Sequence, residues 1–443
     1  MLSESHSIET SDGYLLSIHR IVPNSIPKVK KPPCFLIHGV IESSLEYLQL
    51  QEDSLPFVLS DNGFDVYLGN ARGNQYTSHR KFNKNSSEFW DFGWHEIGVY
   101  DLPPMIDYIL NFTGFEKLFF IGFSQGATVG MVLLSMLPEY NQKIEQVHLT
   151  GPAVFMNHFP NPVLKFHGRQ IVELFTEHNM VNLTAVRNTF QPFMQDFCHK
   201  TKPLKLLPCI ILEFMIVGGN IYKFEADLRA LRNFLNVFTP YTSKKQLLHF
   251  IQLMHSRKFH LYDFGVENVK KYGTINPPDY QLKLVDAPVY IYCAGQDGFA
   301  ERRDVETLRD SIPNVKNFRL IKNFNHYDFE GSRRAKDEVY LPMVNFMNSA
   351  TTAKEVLNTN GRKPKFWWNK FMLTSWKQKK RQEPTANERD QLGSIETDTD
   401  RKGPTGIHRN RQEQTGTERN RQEQIGTDRN RQEQTGIDRN RQE

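Results

Sequence analysis

Short apolar runs that end in turn residues and alternate with helical patterns constrain this chain more than any other feature. Cys34-Phe-Leu-Ile-His-Gly, Phe64-Asp-Val-Tyr-Leu-Gly, Lys117-Leu-Phe-Phe-Ile-Gly and Val147-His-Leu-Thr-Gly-Pro each read as a buried strand closed by a turn. Between them lie helical patterns such as Asp101-Leu-Pro-Pro-Met-Ile-Asp-Tyr-Ile-Leu, whose prolines fall in the first turn, where a missing N–H is tolerated. Strands alternating with helices imply βαβ units and a mostly parallel sheet, an α/β fold.

The alternation stops near Phe155. From there to about Tyr280 the pattern is helical and aromatic, without strand punctuation. It resumes at Ala287-Pro-Val-Tyr-Ile-Tyr-Cys and continues through a helix near Arg303 to Ser311, a strand near Phe318 to Ile321 and an amphipathic helix from Ala335 to Met347. One sheet interrupted by a helical insertion fits this order better than two independent domains. The expected organisation is a core in two parts, 1–154 and 281–349, a helical cap over 155–280, and a tail over 350–443.

The tail repeats with a period of ten. Thr405-Gly-Ile-His-Arg-Asn-Arg-Gln-Glu-Gln recurs from Thr415, Ile425 and Thr435. With at most one aliphatic residue per copy, no copy buries enough surface to offset its ordering entropy, so disorder is expected. The tail also explains the overall charge. Of the 55 basic and 50 acidic residues, 19 and 13 lie in 361–443, so the excess of positive charge sits there and the body is near neutral. A nucleic-acid partner for the folded part is therefore not expected. No run approaches the length of a membrane-spanning helix. Met1-Leu-Ser-Glu-Ser-His-Ser has neither a basic nor an apolar leader segment, so no secretory signal is expected in this chain.

Gly122-Phe123-Ser124-Gln125-Gly126 is the strongest chemical signal. It follows the apolar run Leu118 to Ile121 and precedes a helix-like stretch from Ala127 to Leu137. That is the strand–turn–helix setting of a nucleophilic serine, with glycines where side chains would collide. A serine hydroxyl needs a base and an orienting carboxylate. In hydrolases of this architecture the acid and then the histidine follow the serine in the chain. Asp297, in Ala-Gly-Gln-Asp-Gly after the strand Val289 to Cys293, and His326, after the strand ending at Ile321, stand in loops at strand ends where such a sheet places its site. Asp304 and Asp328 are rival acids. Asp304 reads as a surface residue at a helix start, and Asp328 is close to His326 in sequence. The expected oxyanion donors are the amides of Val40, after His38-Gly39, and of Gln125. No metal is expected: His95-Glu96 lacks a second histidine at helical spacing and reads as packing and capping, and no C-x-x-C occurs. No G-x-G-x-x-G or P-loop occurs either, so no cofactor is expected.

These blocks resemble the acid lipases, the family of gastric and lysosomal acid lipase. The resemblance rests on His38-Gly39, Leu68-Gly-Asn-Ala-Arg-Gly-Asn74, Phe89-Trp-Asp-Phe-Gly-Trp-His-Glu-Ile-Gly98, Tyr100-Asp-Leu-Pro103, Gly122 to Gly126, Gly295-Gln-Asp297 and Asn325-His-Tyr-Asp-Phe329, in order. It spans about Ser7 to Asn348. It implies an α/β-hydrolase core with a helical cap that hydrolyses triacylglycerols or sterol esters. Ser124, Asp297 and His326 fall on its triad blocks, Val40 and Gln125 on its oxyanion positions. The family usually has His at Phe123 and Thr at Ala127. The resemblance also implies a secreted or lysosomal protein, against which this chain reads as a truncated start or a cytosolic variant. Asn85, Asn111 and Asn182 stand in sequons that fit a secreted glycoprotein. Cys198 and Cys209 resemble the family's cap disulfide in spacing, and Cys34 and Cys293 read as core.

Three further expectations concern lipid. Leu204 to Val217, with Phe166, Phe175 and Phe190, is a candidate surface for an acyl chain, under a cap that opens at a lipid interface. Arg362 to Arg381 mixes basic and aromatic residues in a way that suits an anionic membrane surface. The alternative to a lipase is a catalytically inactive hydrolase-fold protein that binds lipid or a partner.

Overall fold

The computed structural model describes residues 2–22, 31–184, 188 and 241–358. The chain enters as β1 (Leu2–Glu9), β2 (Tyr14–Val22), β3 (Cys34–Ile37), β4 (Val66–Gly69), β5 (Ser78–His79), β6 (Leu118–Phe123) and β7 (Ile144–Thr150). The region expected to be the cap contributes β8 (Thr176–Glu177), β9 (Met180–Asn182) and β10 (Tyr241–Ser243), and the chain then returns as β11 (Val289–Ala294) and β12 (Val315–Ile321). One sheet has the order β1-β2-β4-β3-β6-β7-β11-β12, with β5 on β2. From β4 to β12 its neighbours are parallel; β1, β2 and β5 pair antiparallel. The chain leaves this sheet after β7 and returns to it beside β7, so the insertion interrupts a continuous structure.

The described helices that matter here are α1 (Leu55–Asp61), α2 (Leu102–Thr113), α3 (Gln125–Met136), α4 (Pro162–Leu174), α5 (Lys244–Ser256), α6 (Arg302–Ser311) and α7 (Leu341–Asn358). Successive strand residues point to opposite faces, and in β3 both faces are covered. Phe35 and Ile37 join Phe120, Leu149 and Ile291 under α2 and α3. Cys34 and Leu36 join Phe119, Ile121 and Tyr292 under α1 and α7. This double burial is why the strands read as uninterrupted apolar runs. Strand β12 ends the sheet and is only partly buried, with Lys316 and Arg319 along it, a composition that discourages pairing with another chain.

The insertion differs from its sequence reading. It is not free of strands: β8, β9 and β10 form a small antiparallel sheet. Strands of two or three residues are too short to show a period of two, so no pattern marks them. Cys34 and Cys293 are buried free thiols. Asn85 and Asn111 are exposed, and Asn182 is partly buried in β9. No described helix is long and apolar enough to cross a membrane. Cys198, Cys209, Phe190, Leu204 to Val217, the basic–aromatic stretch and the decapeptide repeats all lie outside the described residues.

Candidate active site

Strand β6 turns into α3 through Ser124, whose backbone has φ 51° and ψ −115°. A non-glycine residue held there is strained and persists only where its surroundings dictate it. They do so through close backbone approach. A Cβ on Gly126 would lie 2.1 Å from the Ile37 carbonyl oxygen, and one on Gly122 would lie 2.6 Å from the Gly126 backbone. Only glycine fits at either position. The Ser124 amide donates to Thr150 O at 3.0 Å, tying the turn to the end of β7.

The loops after β11 and β12 bring two distant side chains to this turn. Nε2 of His326 lies 2.8 Å from Ser124 Oγ, and Nδ1 of His326 lies 2.9 Å from Asp297 Oδ2. If the serine hydroxyl donates to Nε2, the imidazole proton sits on Nδ1 and is donated to the carboxylate. The other oxygen of Asp297 accepts the amides of Phe299, at 2.8 Å, and Ala300, at 2.7 Å. Phe123 and Phe299 lie against the His326 ring, with centroids at 5.0 and 5.1 Å.

The rival acids are otherwise engaged. Asp328 and Asn325 exchange bonds, Asn325 N to Asp328 Oδ2 at 2.7 Å and Asp328 N to Asn325 Oδ1 at 3.0 Å. Burial pushes the Asp328 carboxyl up to about 6. Asp304 corrects the sequence reading: it is 1% exposed, not a surface group. Its two oxygens accept from the backbone N–H and Nδ1 of His158, both at 2.8 Å. Long-range packing against the segment that enters the insertion buries it. His158, Glu301 and Asp304 are the one described group whose ligand-type atoms all lie within 4.8 Å. The carboxylate of Asp304 there is already satisfied by His158.

Val40 and Gln125 flank the serine. Gln125 opens α3, so its N–H has no acceptor within the helix and stands at the positive end of the helix dipole. Val40 lines the same cavity as Ser124. Its loop is held from behind. His38 donates from Nδ1 to Gly39 O at 2.8 Å and accepts the Ala71 amide on Nε2 at 3.2 Å. Burial pulls its pKa down to about 4, which keeps the ring neutral for both bonds. Glu42 accepts the Gly39 amide at 2.6 Å. His95 and Glu96 do pack and cap: His95 Nδ1 meets Tyr280 Oη at 2.8 Å, and Glu96 accepts the Gly93 amide at 2.6 Å.

An apolar cavity of about 260 Å³ opens beside Ser124. Leu164, Ile171 and Phe175 line it from α4 and its end, and Phe250 and Met254 from α5. Phe166 does not line it; it is 67% exposed, with its ring centroid 6.5 Å from that of His255 on α5. Two features escaped the sequence reading. Glu46 and Glu330 are buried close to the site loops, and Gln246 reaches the residue after Ser124. No motif marks either.

The parallel sheet, with a strained serine on the turn between a central strand and its helix, defines an α/β-hydrolase. A family model described as alpha/beta hydrolase fold matches residues 32–332, and one described as a partial alpha/beta-hydrolase lipase region matches residues 1–50. Lipase 1 of Drosophila melanogaster is 36% identical over 348 residues, 77% of this chain and 76% of that protein. The lysosomal acid lipase/cholesteryl ester hydrolase of Homo sapiens is 32% identical over 360 residues, 78% of this chain and 87% of that protein. Gastric triacylglycerol lipase of Mus musculus is 30% identical over 360 residues, 78% and 88% respectively. The chain belongs to the acid lipase family of α/β-hydrolases and is a serine ester hydrolase.

Proposed function

We propose that the chain hydrolyses lipid esters, triacylglycerols or sterol esters, with Ser124 as nucleophile, His326 as general base and acid, and Asp297 as the group that orients His326. The observation that carries this reading is the hydrogen-bond chain from Ser124 Oγ through His326 to Asp297, 2.8 and 2.9 Å long. Ser124 attacks the ester carbonyl as His326 takes its proton. The amides of Val40 and Gln125 hold the oxyanion, and His326 then protonates the departing alcohol. Water, activated by the same imidazole, releases the acid. The acyl chain occupies the apolar cavity, where each buried methylene contributes about 0.8 kcal/mol. The described residues of the 155–280 insertion that line the cavity, on α4 and α5, serve as its cap, between core segments 1–154 and 281–349. The choice between substrates rests on relatives whose names specify triacylglycerol or cholesteryl ester.

A fluorophosphonate should label the chain once, at Ser124, and Ser124→Ala should abolish both labelling and release of fatty acid from emulsified triacylglycerol or cholesteryl ester. An unlabelled wild-type chain, or full activity in Ser124→Ala, would overturn the reading. Liposome flotation with and without 362–381 tests contact with an anionic membrane surface.

A further inference from the structure

The side chain of Gln125 has no role in the mechanism above, yet it is 4% exposed and hydrogen-bonded. Its Nε2 donates to Oε1 of Gln246 at 2.7 Å, while its own Oε1 is buried without a partner among the described residues. Gln246 is 3% exposed and is the third residue of α5. Its Nε2 donates in turn to Thr242 Oγ1 at 3.0 Å, which orients its amide so that the oxygen faces Gln125.

The start of α5 is itself fastened to the core. Ser243 accepts the Gln246 amide at 3.2 Å and donates its hydroxyl to Phe92 O. Lys245 Nζ lies 3.0 Å from Glu96 Oε1, and His249 stacks on Trp94 with centroids 3.7 Å apart. The first two turns of α5 therefore act as a fixed post from which a single bond reaches the residue after the nucleophile. The same helix lines the acyl cavity with Leu247, Phe250, Ile251 and Met254.

We propose that Gln246 is a positioning residue for the oxyanion hole, acting through the side chain of Gln125. The proposal rests on the reading of Ser124 and Gln125 given above. An unpaired donor in a dry site is costly, and rotating the residue that bears it is one way to relieve that cost. Here that residue's N–H must aim at the developing oxyanion, where small misplacements cost rate. Binding of the acyl chain and alignment of the oxyanion donor thus share α5, so a chain that fills the cavity also steadies the donor.

Two near-isosteric replacements in the full chain separate this from simple packing. Gln246→Met fills the space and removes the acceptor; Gln246→Glu keeps an acceptor oxygen toward Gln125. On soluble p-nitrophenyl butyrate, Gln246→Met should lower kcat by about tenfold, a fraction of the loss from deleting an oxyanion donor outright, with KM little changed. Affinity for phenylboronic acid, which forms a tetrahedral adduct with an active serine, should fall by the same factor. The gain in kcat from butyrate to octanoate should shrink. Gln246→Glu should retain most of all three. Wild-type kcat and boronate affinity in Gln246→Met would overturn the proposal. So would equal losses in Met and Glu, and if Met does not fold, a Glu variant that folds but loses kcat overturns it alone. A wild-type chain that fails to take up fluorophosphonate removes the hydrolase reading itself, and that result is seen without touching residue 246.

Discussion

The ring of Phe123 packs on the imidazole of His326, centroids 5.0 Å apart and planes inclined by 34°. The resemblance to the acid lipases puts a histidine at this position. Phe123→His would set a second imidazole beside the proposed base. Once protonated, it opposes a second proton nearby, as like charges do. The acid limb of kcat/KM on a soluble ester should move to lower pH in Phe123→His and stay in place in Phe123→Leu. A shift to higher pH in Phe123→His, or an equal shift in Phe123→Leu, would contradict this like-charge argument.

Asp297 and Asp328 stand on the same rim but differ in what they hold. Asp297 accepts His326 and two loop amides, whereas Asp328 closes a local exchange with Asn325. Asp297→Asn should lower kcat by about 10⁴, the loss expected when an orienting carboxylate becomes an amide and selects the wrong tautomer. Asp328→Asn keeps an acceptor for the Asn325 amide and should cost less than about tenfold. Equal losses in the two variants would reverse the assignment of the acid.

Stability should be greatest at mildly acidic pH. Burial pushes the carboxyl of Glu46 up to about 8 and those of Glu42 and Glu330 well above the usual range, and Glu330 and Glu46 raise Glu42 further. Both oxygens of Glu330 are buried without a partner among the described residues. A carboxyl kept neutral by the fold adds stability below about 4.3, its unfolded value, and loses that contribution as pH rises toward 8. Burial acts the opposite way on imidazoles, taking His38 down to about 4, His148 down to about 3 and His249 well below its ordinary value. Those add stability above about 6.5 and lose it as pH falls. The two sets oppose each other between about 4.3 and 6.5, and only the carboxyls titrate above that. Tm should form a plateau there and fall by pH 8, and Glu330→Gln should narrow the gap between pH 5.5 and pH 8. A Tm that climbs from pH 6.5 to 8 would refute this balance.

The cavity beside Ser124 predicts chain-length selectivity. Ile171 of α4 lines it together with Phe250 and Met254 of α5. Ile171→Trp adds bulk to a space of about 260 Å³. The ratio of activity on p-nitrophenyl octanoate to that on butyrate should drop several-fold, because each methylene denied burial forfeits about 0.8 kcal/mol. Exposed Phe166 gives the control: Phe166→Ser should leave that ratio unchanged.

Much of the sheet was readable because β3, β4, β6 and β11 are covered on both faces and are almost wholly apolar, whereas β7 buries Gln146 and His148 and shows its apolar character only at Ile144, Val147 and Leu149. The serine turn was readable because its glycines answer a local steric demand. Asp304 was misjudged because its partner, His158, stands 146 residues earlier in the chain, with no spacing to announce the pairing. The small sheet of the insertion was missed because its strands are shorter than any period.

Local spacing decides which backbone can hydrogen-bond to itself and where it must bend, and these follow from neighbouring residues alone. Alternating strands and helices, the bend at Ser124 and the candidate acid and base were determined at that level. The sub-3 Å meeting of Ser124, His326 and Asp297 depends on how separate elements stack. So do the burial that keeps Glu46 and Glu330 from water and the bond from Gln246 to Gln125. Distance and dielectric are properties of the packed interior, and only the tertiary structure decided them.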